Sequence, residues 1–366
     1  MSPARTQSDV VELPHPRDTF ALFGHAEAER ALLDEYRGGR IAHAWLIGGP
    51  AGIGKATLAY RMARFALAHP DPMTAAVQNA TSLEVAPDSR VARRVAGRAH
   101  PDLLVLEREP DDKGKMRTVI TVDQVRRTIG FFGSTAGEGG WRVCIVDAAD
   151  ELNPAGANAL LKILEEPPLK SLLLVVSHAP GRLLPTIRSR CRRLALQPLS
   201  GDAVMQLLAD YAPDTTKEER ASLTGLAEGS IGRALELASA GSLGLYREMV
   251  EVLATLPELD MPRLHSFAER FAKRGEDANA DWRSLNFLFD SWLKGLARHA
   301  AVGGEGVPIV PAERGMQDRL LAGASLDRWM EAWEKVAHLL SRADAVNLDR
   351  KQTVLGSFLA LQSAMR

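Results

Sequence analysis

Apolar residues follow two rhythms along this chain, and the change falls near Pro198. Before it, short apolar runs alternate with longer stretches of helical spacing. The runs at 44–47, 103–106, 143–146, 172–176 and 193–196 predict five short strands. Between them, residues 26–36, 55–68, 122–132 and 154–166 repeat their apolar positions at the helical period. Arg37-Gly38-Gly39-Arg40 stops the first of these helices and Pro167-Pro168 the last, while Pro154 sits in a first turn, where its missing N–H is no loss. Uninterrupted apolar strands alternating with helices predict a parallel sheet covered on both faces. Residues 70–101 form a weaker, polar and arginine-rich pattern, 111–116 a charged turn, and 133–140 a flexible connection. After Pro198 the strand signals vanish. Residues 203–211, 217–227 and 232–240 predict three short helices, and 245–366 is helical again apart from a loop at 303–311. The expected division is a polar lead-in at 1–19, an α/β domain at 20–198, a small helical domain at 199–243 and an all-α domain at 244–366.

The first strand runs into Gly49-Pro50-Ala51-Gly52-Ile53-Gly54-Lys55, and a helix follows. Strand, glycine loop and helix in that order build a phosphate cradle: backbone N–H groups, a helix N-terminus and a lysine converge on anionic oxygens. A turn that used its glycines only for positive φ would not explain Lys55. The next residue in such loops is Ser or Thr, whose hydroxyl holds magnesium, but here it is Ala56. Thr57 comes one step late, and one step on a helix rotates a side chain by about 100°. Asp147 ends the apolar run 143–146, the place of the aspartate that orients magnesium through water, although an aspartate there also serves simply to cap a turn. Related ATPases follow it with a glutamate that activates the attacking water; this chain has Ala148, and Asp150 lies three residues beyond Asp147. With alanine at both positions, efficient hydrolysis is not expected.

Ser189-Arg190-Cys191 lies in the basic cluster 188–193. A guanidinium that keeps its charge and grips phosphate as a fork suits an arginine finger, and a solvated basic loop is the plain alternative. Gly229-Ser230-Ile231-Gly232-Arg233 opens a helix, and its arginine either reaches a phosphate or supports that helix.

Composition narrows the picture without changing it. With 366 residues, 46% hydrophobic and 25% charged, the chain reads as a soluble protein of two or three domains. A net charge of −1 argues against coating nucleic acid through bulk positive charge. Two cysteines, Cys144 and Cys191, make no disulfide framework and fit a reducing cytosol, with Cys144 expected buried and inert. No apolar stretch has the length of a membrane span. His43, His69, His100 and His178 are scattered, without the spacing of a metal site.

Four stretches together resemble the bacterial clamp-loader subunits of the AAA+ class. They are the loop 49–55, Asn158-Ala159-Leu160-Leu161-Lys162-Ile163-Leu164-Glu165-Glu166-Pro167-Pro168, Ser189-Arg190-Cys191, and Gly229 through Arg233. The resemblance covers residues 20–240 by motif and the helical remainder by architecture. Within that family the chain looks most like the delta-prime type of DNA polymerase III, not the ATP-hydrolysing gamma/tau type. The resemblance implies an AAA+ P-loop domain with a parallel sheet, a small helical lid and an all-α collar. It implies a cytoplasmic subunit of a five-membered spiral, beside gamma/tau and delta, that helps load the sliding clamp onto primed DNA for the polymerase holoenzyme, with no membrane partner. It implies a subunit without hydrolysis of its own, whose Arg190, framed by Ser189 and Cys191, completes a neighbour's ATP site. Carried over, Gly49, Gly52, Gly54, Lys55 and Thr57 belong to the nucleotide loop, Asp147 is the magnesium aspartate and Arg233 the second sensor arginine. ATP or ADP binding stays open, with magnesium only beside a nucleotide. Many family members carry a four-cysteine zinc module, but residues 68–100 hold no cysteine, so no zinc is expected. The alternatives are an active AAA+ motor of loader or helicase type, in which Thr57 and Asp150 replace the missing groups, and a nucleotide-binding adaptor outside replication.

Overall fold

The computed structural model describes residues 15–134, 136–273, 275–302, 309–310, 313–346 and 348–365. The lead-in up to residue 14 and most of the 303–311 loop lie outside the described residues. Five strands, β1 (Ala44–Gly48), β2 (Leu103–Leu106), β3 (Arg142–Val146), β4 (Ser171–Ser177) and β5 (Arg192–Ala195), form one sheet in the order β2-β3-β4-β1-β5. All neighbours are parallel, with Leu103 opposite Val143, Arg142 opposite Ser171, Ala44 opposite Leu173 and Trp45 opposite Arg192.

Alternate residues of the central strands enter two different cores, which is why their apolar runs are unbroken. Trp45, Ile47, Val143, Ile145, Leu172 and Leu174 face α1 (Ala26–Arg37) and α2 (Lys55–Ala68). Ala44, Leu46, Cys144, Val146, Leu173 and Val175 face α5 (Val122–Gly133) and α6 (Pro154–Glu165). Each leucine, isoleucine or valine so buried contributes about 1.5–3 kcal/mol. The covering helices start on good caps: Thr121 and Gln124 form a reciprocal capping box, and Asn153 accepts from the Gly156 N–H at 2.7 Å. Two buried arginines of α2 tie the preceding chain down. Arg64 donates to the carbonyls of Arg17 and Thr19 at 2.9 and 2.8 Å, and Arg61 pairs with Glu29 at 2.7 Å.

The polar stretch 70–101 contains two helices that its pattern hides, α3 (Ala75–Gln78) and α4 (Arg90–Ala96). Only Ala92 and Val95 of α4 are buried, too few to show a period over seven residues, while Arg90 and Arg94 reach out to Glu138. Two further helices follow: α7 (Pro185–Arg188), and α8 (Gly201–Tyr211), which begins in this unit. The α/β unit consists of the described residues through Ala203 together with Gly229–Gly232.

The second unit, Val204–Glu228 and the described residues from Arg233 onward, is helical. It holds most of α8, then α9 (Lys217–Ala227), α10 (Ile231–Ser239) from Arg233, α11 (Ser242–Leu253), α12 (Met261–Glu269), α13 (Glu276–Val302), α14 (Glu313–Gly323), α15 (Leu326–Ala345) and α16 (Arg350–Ala364). Its interior is aromatic: Phe267 packs edge-on against Phe271 and Phe358, and Trp292 against Trp329. Among the described residues no helix is long and apolar enough to cross a membrane.

Candidate functional site

The glycine loop joins β1 to α2 and needs its glycines for φ and, at Gly49, for space as well. Gly49, Gly52 and Gly54 have φ of +150°, +72° and +102°. A Cβ on Gly49 would lie 2.5 Å from the Leu196 carbonyl oxygen. The Gly54 carbonyl accepts the first helical bond, from the Leu58 N–H at 3.0 Å. Two other loop carbonyls are held from outside: Ile53 faces His25 Nε2 at 2.6 Å, and Gly52 accepts from the Gly232 N–H at 2.9 Å. Lys55, the first residue of α2, is 2% exposed, and its Nζ donates to the Pro50 carbonyl inside the same loop. Burial pulls its ammonium down to about 8, with Asp147 and Asp150 acting in the opposite sense. Ala56 and Thr57 follow in the first turn, both partly buried.

Acidic groups gather where the strands end. Asp147 follows β3, and its N–H donates to the Leu106 carbonyl at 2.8 Å. Burial raises its carboxyl, Glu107 adds to the rise, and His15 and Lys55 oppose it. Glu107 is a residue that sequence reasoning missed. It follows β2 as Asp147 follows β3, and the pairing of Leu106 with Val146 brings both carboxylates off the sheet at one level. The signal was an acid closing an apolar run, present twice. His15 holds Glu107 below the usual carboxylate range, with burial opposing and Arg98 assisting from 2.7 Å. Arg108 pairs with Glu151 at 2.8 Å beside them. A cleft of about 360 Å³ opens here, lined among others by Arg98, Glu107, Arg108, Asp147, Glu151 and His178.

Asp150 does something other than replace the missing glutamate. One carboxylate oxygen accepts from Ser177 Oγ at 2.8 Å and from the Ala179 N–H at 3.1 Å, and the other accepts from the His178 N–H. Burial pushes this carboxyl up, but the three donors outweigh it and hold it below the usual range. Both oxygens therefore take part in fastening the end of β4.

Ser189-Arg190-Cys191 divides its labour. Cys191 is 8% exposed and packs in the core with Leu183 and Ile187, and burial pushes its thiol up to about 11. Ser189 caps α7, its Oγ donating to the Thr186 carbonyl at 3.2 Å. Arg190 projects outward, pairing with Glu165 at 2.9 Å and donating to the Thr186 carbonyl at 3.1 Å. Arg233 belongs to the helical unit, where its guanidinium carbon lies 4.3 Å from the ring centre of Phe287. The fold thus gathers Gly49, Gly52, Gly54, Lys55, Thr57 and Asp147, while Arg190 faces Glu165 and Arg233 faces Phe287. A nucleotide's phosphates would be held by the glycine loop and Lys55, and a magnesium ion beside them would have Asp147 but no hydroxyl from residue 56. Among the described residues no three His, Cys, Asp or Glu side chains cluster as metal ligands do.

A glycine cradle after β1, an acid after β3 and a strand inserted between these two define a domain of the P-loop class. A family model described as DNA polymerase III, delta subunit, matches residues 24–200. DNA polymerase III subunit delta' of Escherichia coli K12 is 32% identical over 288 residues, 77% of this chain and 79% of that one, and the Pseudomonas aeruginosa protein of the same name is 41% identical over 196 residues. The chain belongs to the DNA polymerase III subunit delta' family. The Pseudomonas match spans 53% of this chain and 55% of that relative, and a Bacillus subtilis subunit delta' is 31% identical over 47% of each chain.

Proposed function

We propose that this chain is a clamp-loader subunit of the replicative polymerase, a stator that lends Arg190 to a neighbouring subunit's ATP and hydrolyses none itself. The observation that carries this reading is the structural use of Asp150, which accepts three hydrogen bonds from the end of β4 and the residues after it. With Ala56 and Ala148 at the metal and water positions, Asp150, the acid the sequence offers as a substitute, has both oxygens bound to donors at Ser177, His178 and Ala179. That also weighs against the active-motor reading. Arg190 points outward from a backbone anchored by Cys191, and its contacts with Glu165 and the Thr186 carbonyl leave donors over for another group. In this reading the partners are the gamma/tau and delta subunits, with the sliding clamp and primed DNA reached through the complex in the cytoplasm. Residues 199–243 serve as a lid bearing Arg233 as a sensor, and 244–366 as the collar.

The test is a loader reconstituted with Arg190→Ala. Assembly, followed by size-exclusion chromatography, should be unchanged, while DNA-stimulated ATP turnover falls. Fingers supplied in trans contribute on the order of 10³–10⁵ in GTPases, and total turnover falls by less where other sites keep working. Unchanged turnover and clamp loading would refute the reading.

A further inference from the structure

The turn that carries Arg190 has a backbone fixed by its buried neighbours and a guanidinium directed outward. Ile187 is fully buried and Cys191 nearly so, and the Arg190 N–H donates to the Ile187 carbonyl at 3.1 Å. What the backbone leaves undecided is the direction of the guanidinium. Two contacts decide it: Nη2 lies 2.9 Å from Glu165 Oε1, and Nη1 donates to the Thr186 carbonyl at 3.1 Å. Glu165 is the last residue of α6, where the negative end of the helix dipole disfavours a carboxylate. An acid placed against that local rule points to a role outside its own helix.

We propose that Glu165 is a positioning residue for Arg190, setting the guanidinium for a phosphate on a neighbouring subunit; this rests on the finger reading above. Arginine carries five N–H donors. Glu165 and Thr186 engage one each, on different nitrogens, so three are left for phosphate oxygens and the pair stays intact on engagement. A long side chain on an exposed turn otherwise loses its rotamer freedom when the transition state forms, and ordering it beforehand removes that loss. The side chains are 36% and 50% exposed, so the effect is that of a surface pair and modest in size.

The test compares Glu165→Ala, Glu165→Gln, Arg190→Ala and the double variant Glu165→Ala/Arg190→Ala in the reconstituted loader with clamp and primed DNA. Glu165→Ala should lower kcat about 3- to 5-fold with the KM for ATP nearly unchanged. Glu165→Gln, which keeps an acceptor oxygen, should fall between that and wild type. In the Arg190→Ala background, Glu165→Ala should add nothing. Wild-type turnover in Glu165→Ala beside a crippled Arg190→Ala overturns this inference and leaves the finger standing. A faster Glu165→Ala loader, or an effect that persists without Arg190, also overturns it. An unimpaired Arg190→Ala overturns the finger itself, and the positioning role with it. Thermal unfolding of the isolated Glu165→Ala chain should match wild type, which separates this role from a structural one.

Discussion

Replacing Asp150 by asparagine tests whether that carboxylate fastens the end of β4 or serves chemistry. The change is nearly isosteric. The amide oxygen still accepts from Ser177 Oγ and the Ala179 N–H, but the amide nitrogen now meets the His178 N–H, donor against donor. A hydrogen bond to a charged group contributes about 1.5–3 kcal/mol and a neutral one about 0.5–1.5 kcal/mol. One charged bond is lost and two are weakened. Allowing for partial exposure and non-additivity, the local cost is about 2–4 kcal/mol. Hydrogen exchange read by mass spectrometry over residues 171–180 should then show the His178 and Ala179 amides exchanging on the order of 30- to 1000-fold faster. The pH dependence has a definite sign. The folded carboxyl titrates below its unfolded value, so its stabilisation is complete above about pH 4 and is lost as pH falls through the folded value. The gap between wild type and Asp150→Asn should close on acidification. Unchanged exchange at neutral pH would refute the anchoring role, and an isolated wild-type chain whose ATP turnover disappeared in that variant would restore Asp150 as a base.

Two further perturbations bear on the phosphate loop. Gly232→Ala would place a Cβ 2.9 Å from Gly52 Cα and 3.4 Å from its carbonyl oxygen, backbone that no rotamer change relieves. A loss of about 1–3 kcal/mol, seen as a lower urea midpoint, is expected, and an unshifted midpoint would contradict it. Lys55 titrates near 8 when folded, below its unfolded value of about 10.4, so the unfolded chain binds more protons between those limits. Wild-type stability should therefore rise relative to Lys55→Met as pH climbs through that window and level off above it, and parallel stability curves would show that the ammonium is not buried at this cost.

What the sequence made legible was local. The strands announced themselves because both faces of the sheet are apolar, and the cradle because strand, glycines, lysine and helix are contiguous. α4 was hidden because two buried side chains cannot impose a period on seven residues rich in arginine. The other omissions are pairings across the fold. Asp150 meets donors on β4 and just beyond it, Glu107 joins Asp147 only through strand register, and Glu165 meets Arg190 although β4 lies between them in sequence. Gly229-Ser230-Ile231-Gly232 read as a helix start with an arginine of interest, yet its closest tie to the loop is the N–H of Gly232. No spacing rule on one chain announces such meetings.

That last tie bears on how the molecule is divided. The chain quits the sheet-bearing body after Ala203, runs through Val204–Glu228, and returns for only four residues before leaving again. On returning, the Gly229 carbonyl accepts from the Leu199 N–H at 2.9 Å, and the Gly232 N–H donates to the Gly52 carbonyl. The sheet-bearing unit is therefore discontinuous in sequence, and Gly229–Gly232 is part of it. A fragment trimmed at Ala203 would forfeit the clasp on its own nucleotide loop, and a deletion that joined Ala203 directly to Gly229 would have to close the circuit that Val204–Glu228 completes.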